Sequence, residues 1–114
     1  MVTESLEWFE RLPCSVTVCD KNYKILYMND MAAENNSKEG GKALIGKNLM
    51  NCHPPKAQRK LRNVMASGQP NVYTTGRGVK KMIYQCQWKK GRRVGGLLEL
   101  VFELPDRIPN FVRS

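Results

Sequence analysis

His53 is the only histidine in this chain, and its position suits metal or ligand chemistry. It sits in the segment Leu44-Ile45-Gly46-Lys47-Asn48-Leu49-Met50-Asn51-Cys52-His53-Pro54-Pro55, directly ahead of a basic amphipathic helix. The positive end of that helix dipole disfavours imidazolium. Neutral imidazole is the form that binds iron or another metal. Leu49, Met50, Leu61 and Met65 would supply an apolar wall for a porphyrin. Three readings of His53 stay open. It is a structural residue at a rigid His-Pro-Pro helix entry, a haem ligand, or a polar contact to another small ligand.

Other constellations carry less chemistry. With one histidine there is no spare base for a Ser or Cys triad. Glu99 and Glu103 lie four apart on a strand and do not converge as an acid–base pair. Gly76-Arg77-Gly78 and Gly95-Gly96 match no phosphate loop. No catalytic residue is assigned, and the chain is not expected to be an enzyme. Cys14, Cys19, Cys52 and Cys86 form no C-x-x-C pair, so they are expected as reduced thiols rather than zinc ligands.

The 114 residues fit one domain with one core. Hydrophobic residues make up 41% and charged residues 25%, a globular composition. No apolar run approaches the roughly 18 residues of a membrane-spanning helix. Glu4, Glu7 and Glu10 replace the apolar core of a signal peptide, so a cytoplasmic protein without membrane contact is expected. The net charge of +9 is spread over Lys56, Arg59, Lys60 and Arg62, over Arg77, Lys80 and Lys81, and over Lys89, Lys90, Arg92 and Arg93. These clusters read as solvated loops and one solvated helix face. A basic nucleic-acid-associated domain is the rival reading, although no helix-turn-helix, zinc-finger or RNA-recognition motif supports direct contact.

The elements that must position these residues follow from periodicity. Leu6, Phe9 and Leu12, with Trp8 beside them, predict an amphipathic helix over residues 3–12, capped by Thr3 and ended by Pro13. Residues 15–19 and 24–28 predict a hairpin about an Asx turn at Asp20-Lys21-Asn22-Tyr23. Asn29-Asp30 offers a cap for a short helix over 31–34, and residues 35–41 are a polar loop. Pro54 and Pro55 open a helix that runs to Ser67 and stops at Gly68. Ala57, Leu61, Val64 and Met65 share one of its faces, opposite Lys56, Arg59, Lys60 and Asn63. Three strands follow, at 71–75, 79–88 and 95–104, with a long turn at 89–93. Alternation in the last strand predicts Leu98, Leu100, Phe102 and Leu104 on the core face and Glu99, Val101 and Glu103 outside. The sum is an α+β fold, a five-stranded antiparallel sheet with helices on one face.

Several local segments in this order resemble a PAS domain over residues 5–104. They are Leu12-Pro13-Cys14-Ser15-Val16-Thr17-Val18-Cys19-Asp20, Tyr27-Met28-Asn29, Ile45-Gly46-Lys47-Asn48-Leu49 and Gly95-Gly96-Leu97-Leu98-Glu99-Leu100. The resemblance implies a PAS-like sheet and a sensory or protein-interaction module that signals to an effector domain or a partner signalling protein, as in transcription regulation. It divides the chain into an N-terminal docking helix (1–12), the domain proper (13–105) and a tail or linker (106–114). It implies a homodimer through Leu6, Trp8 and Phe9 and the outer sheet face around Val101. It also implies a ligand held between helices and sheet. The residues expected to touch it are Met50, His53, Leu61 and Met65 from the helices and Met82, Tyr84, Leu98 and Leu100 from the sheet. Flavin-bearing members carry an Asn-Cys-Arg-Phe-Leu type motif. Here Asn51-Cys52 runs into His53-Pro54-Pro55, which does not match. Leu49 to Pro54, followed by Lys56 and Arg59-Lys60-Leu61-Arg62, resembles haem-bearing members. That makes His53 the expected metal ligand, with haem or another small molecule as the cofactor and Met82 in the region of a second axial ligand.

Overall fold

The computed structural model of the chain describes residues 6–113. In chain order the elements are α1 (Glu7–Glu10), β1 (Ser15–Asp20), β2 (Ile25–Met28), α2 (Asp30–Asn35), α3 (Pro55–Ser67), β3 (Asn71–Thr75), β4 (Lys81–Lys90) and β5 (Arg93–Glu103). Short 3-10 turns at Ser37–Glu39, Gly41–Leu44 and Leu49–Cys52 link α2 to α3. The five strands make one antiparallel sheet in the order β2-β1-β5-β4-β3, so the last strand closes between the first and the fourth. The α+β architecture is the expected one.

Local chemistry explains the hairpin and the helix starts. The Asp20 carboxylate accepts from the Asn22 and Lys24 amides at 2.8 and 3.0 Å, which is the Asx turn between β1 and β2. Asn29 caps α2, but it does more than that. Its side chain is 0% exposed. The amide oxygen accepts from the backbone N–H of Val16 and of Ala32, each at 3.0 Å. The amide nitrogen donates to the carbonyls of Phe9 and Cys14 at 3.0 and 2.8 Å. One side chain thus joins α1, the entry to β1, β1 itself and α2.

The core lies between the helices and one face of the sheet. Leu61 and Val64 of α3 cluster with Cys19 of β1, Ile25 and Met28 of β2, Ala32 of α2, Leu44, Leu49 and Leu97 of β5. The Gln87 amide nitrogen donates to the carbonyls of Met65 and Val64 at 2.8 and 3.2 Å, so Gln87 also points at α3. Gln87 pairs with Leu97 across the ladder. Strand alternation then fixes the rest. Ile83, Gln85, Gln87, Leu97, Glu99 and Val101 face the helices, and Met82, Tyr84, Cys86, Leu98, Leu100 and Phe102 face away.

This corrects the expected facing of β5, which is reversed. Val101 faces the α2 side, where it shares a small cleft with Met31 and Asn35, and is not on the outer face. Both faces of the strand carry apolar residues, Leu97 and Val101 on one and Leu98, Leu100 and Phe102 on the other, and a one-residue change of phase exchanges them. The even-numbered set gives the cleaner alternation, yet Leu97 of the odd-numbered set joins the core, and inward Glu99 accepts a hydrogen bond from Gln85.

Two boundaries also differ from expectation. The helix predicted over 3–12 is one turn, Glu7–Glu10, while Thr3 lies outside the described residues. So short a helix is held by tertiary bonds rather than by propensity. Glu10 pairs with Lys42 and accepts from the Tyr27 hydroxyl. The long turn predicted at 89–93 is tight, with Lys90 paired to Arg93 and Gly91-Arg92 between. Gly91 has φ 63, which lets two residues reverse the chain, so β4 runs on to Lys90. Beyond it, Gly95 and Gly96 are required by close approach. A Cβ at Gly96 would overlap the Cys19 carbonyl, and one at Gly95 would overlap the Trp88 ring. That ring donates its indole N–H to the Cys19 carbonyl at 2.8 Å.

The facing of β5 makes a direct prediction. Leu97→Ala should lower unfolding free energy by about 2–5 kcal/mol, as buried leucines do. Leu98→Ala should cost less than about 2 kcal/mol, because its side chain is only half-buried. Urea denaturation of both variants checks this, and the reverse ranking would contradict the facing.

Candidate functional site

The first turns of α3 stand over the inner face of β3 and β4. Pro54, Lys56, Ala57 and Lys60 form the roof of a cavity of about 250 Å³, and Asn71, Tyr73 and Gln85 form its floor. Pro55 at the first helical position fixes where the roof begins. The β3–β4 register aligns Asn71 with Gln85 and Tyr73 with Ile83, which brings the floor side chains to one face.

The floor is a chain of amide and carboxylate groups. Gln85 is 3% exposed. Its side-chain oxygen accepts from the Asn71 amide at 2.8 Å, and its nitrogen donates to the Glu99 carboxylate at 2.6 Å. The second bond is charge-assisted and correspondingly short. Buried polar groups need such partners, and among the described residues no buried side-chain polar atom lacks one. Desolvation, reinforced by the Glu99 charge, raises the Tyr73 phenol above its ordinary range, so it is a neutral hydroxyl at physiological pH.

Most of the residues expected from sequence lie elsewhere. Met50 and Met65 pack against the hydrophobic core, and Leu61 is part of it. Met82, Tyr84, Leu98 and Leu100 are on the outer face of the sheet, which corrects their expected place against a ligand. His53 is half-buried in the turn before α3. Its Nδ1 lies 2.9 Å from the Leu49 carbonyl, and its own carbonyl accepts from the Gln58 side chain at 2.8 Å. It does not line the cavity. The crevice residues not singled out from the sequence as a site are Lys56, Ala57, Lys60, Asn71 and Gln85, with Glu99 bonded behind them. The signal that could have found them is the polar residues at matching phase on three successive strands, Asn71, Gln85 and Glu99.

The sheet order, the helices on one face and the crevice between them are the arrangement of the PAS fold, and the sequence profile of that fold matches residues 9–77. The chain belongs to the PAS family. The PAS fold recurs in solved structures of low sequence identity. The VqmA dimer of Vibrio cholerae is 17% identical with a TM-score of 0.71, the match covering 93% of this chain and 52% of that one. The PAS domain of Bordetella pertussis BvgS is 16% identical with a TM-score of 0.63, covering 92% and 90%. The Aer2 receptor of Vibrio cholerae, described as a dual PAS-haem oxygen sensor, is 18% identical with a TM-score of 0.56, covering 81% and 95%. The chain spans about half the VqmA chain, 52% of it. No curated protein matches this PAS chain.

Haem is the cofactor that the family resemblance raises. Neither His53 nor Met82 lines the crevice. Among the described residues no three His, Cys, Asp or Glu side chains converge as metal ligands. Among them, too, no helix is long and apolar enough to cross a membrane.

Burial also disarms one thiol behind the site. Desolvation raises the Cys19 pKa to about 11 from 9.0, with the Asp20 and Glu99 charges adding to the rise. The folded protein therefore holds this proton after the unfolded chain has released it. The resulting stability is complete below about pH 9 and is lost as pH rises through 11. Urea midpoints should fall across that alkaline window and fall less in Cys19→Ala. An equal fall in both proteins would contradict the assignment.

Proposed function

We propose that this PAS domain is a sensory module. It takes a small ligand into the crevice between α3 and the β3–β4 floor and passes its state to the outer face of the sheet. The observation that carries this reading is the crevice, with its polar chain from Asn71 through Gln85 to Glu99. Gln85 faces the ligand side of β4, while its neighbours Tyr84 and Cys86 face outward. A shift of the floor is thus transmitted through one strand without an intervening layer. Gln87 ties the same strand to the C-terminal turn of α3, so roof and floor move together.

The outer face is the proposed exit for the signal. Met82, Tyr84, Cys86, Leu98, Leu100 and Phe102 make it apolar and half-buried. Trp8 and Leu6 stand exposed at 59% and 44%. We assign this surface to a homodimer in which α1 and the outer face meet, with an effector domain or partner protein receiving the change. Solved relatives point the same way. VqmA is described as a dimer and in complex with ligand and DNA, which supports a place in regulated transcription.

Three experiments test this reading. A small-molecule library screened by NMR should give hits that move the resonances of Ala57, Tyr73 and Gln85 together. Hits confined to the outer face would contradict the crevice as the ligand site. Haemin added to the protein should give no Soret band that disappears in His53→Ala. Such a band would restore the haem reading. Sedimentation should show a dimer that Leu100→Lys weakens at least tenfold, an effect expected from a charge left unpaired in an apolar interface. An unweakened dimer in that variant would remove the outer face from the interface.

A further inference from the structure

A second cavity, about 470 Å³, adjoins the crevice and is lined by Lys56, Arg59, Lys60, Asn63, Val64, Gln69, Pro70 and Asn71. The two share Lys56, Lys60 and Asn71, so they form one groove with an apolar end and a cationic end. Ala57, Pro54 and the Tyr73 ring line the apolar end. No acidic residue lines either part. Among the described residues no ion pair neutralises Lys56, Arg59 or Lys60, whereas Lys42 and Arg11 each have carboxylate partners. The one carboxylate nearby in the network, Glu99, is already bonded to Gln85.

From this we infer that the ligand of the crevice is a small organic anion, a carboxylate or phosphate carried on an apolar, ring-sized body. The inference rests on the ligand-binding reading above and names the ligand class. The apolar body enters between Ala57 and Tyr73, and the anionic group stays at the mouth with Lys56, Arg59 and Lys60. A cavity of about 150 Å³ accepts benzene, so the 250 Å³ crevice has room for a somewhat larger ring system. The floor satisfies its own hydrogen bonds, so specificity for charge must come from the cations at the mouth, where an anion forms charge-assisted bonds.

The test uses the full chain and two isosteric probes, 2-naphthoate and neutral 2-naphthalenemethanol, titrated while NMR reports which residues respond. The expected result is that naphthoate binds at least tenfold tighter, with shifts at Ala57 and Tyr73. The double variant Lys56→Gln, Lys60→Gln should lose at least tenfold for naphthoate and nothing for the alcohol. The charge-matched control Lys89→Gln, Lys90→Gln should bind like the parent. Equal binding of both probes in the crevice, unaffected by the lysine variant, overturns the anion inference and leaves the crevice reading standing. Equal loss in both double variants also overturns it, because net charge alone would then explain the preference. Shifts that cluster away from Ala57 and Tyr73, or no shifts with either probe, overturn both.

Discussion

The fold depends on one buried amide. Asn29 offers two donors and two acceptor positions, and backbone groups from four separate places in the chain use them. Each of those groups would otherwise be withdrawn from water without a partner, at a cost of about 1–3 kcal/mol. No apolar residue can replace this set of bonds, and Asp would lack the donors. The geometry of Asn29 sets where α1 ends, where β1 begins and where α2 starts. The hairpin then presents Cys19 and Ile25 to the core, and Leu61 and Val64 fix α3 above the sheet.

Polar and apolar groups are arranged unusually about the sheet. The helix-facing side carries Ser15, Thr17, Gln85 and Glu99, of which Ser15, Thr17 and Gln85 are buried. The outward side is the more apolar of the two. A sheet with an apolar outer face exposes surface that a partner can cover, and one with a polar interior can recognise something other than a hydrocarbon. Both properties suit a module that reads a ligand on one side and reports through the other. The positive surface has a similar division. Lys89, Lys90, Arg92 and Arg93 sit at the tip of the β4–β5 turn, while Lys56, Arg59 and Lys60 gather at the mouth of the groove.

Much of the fold was legible in the sequence for identifiable reasons. The Asx turn at Asp20, the cap at Asn29, the prolines at the start of α3 and Gly68 after it are local chemical signals, and the structure has them all. Element order followed from these signals and from strand periodicity. What local signals could not supply was the facing of β5, since Leu97 and Val101 in one phase and Leu98, Leu100 and Phe102 in the other give both phases apolar residues to bury. Only the tertiary bond from Gln87 to α3 and the packing of Leu97 on Leu61 and Val64 decide it. Met82 and Tyr84 of β4 pair with Phe102 and Leu100 of β5, so they share the outward phase with Leu98 and Leu100. His53 stands out as the only imidazole, yet it lies outside the crevice. The crevice residues were not recognised because lysine, asparagine and glutamine on separate elements become a site only when the register aligns them.

The facing of the sheet is the central claim, because the crevice, the outer surface and the route between them all follow from it. Methyl NOE spectroscopy of the full chain tests it most directly. The account predicts cross-peaks from the Leu97 methyls to those of Leu61 and Val64, and none from Leu98 or Leu100 to either. Cross-peaks from Leu98 or Leu100 to Leu61 would show the opposite face turned inward and would contradict the account.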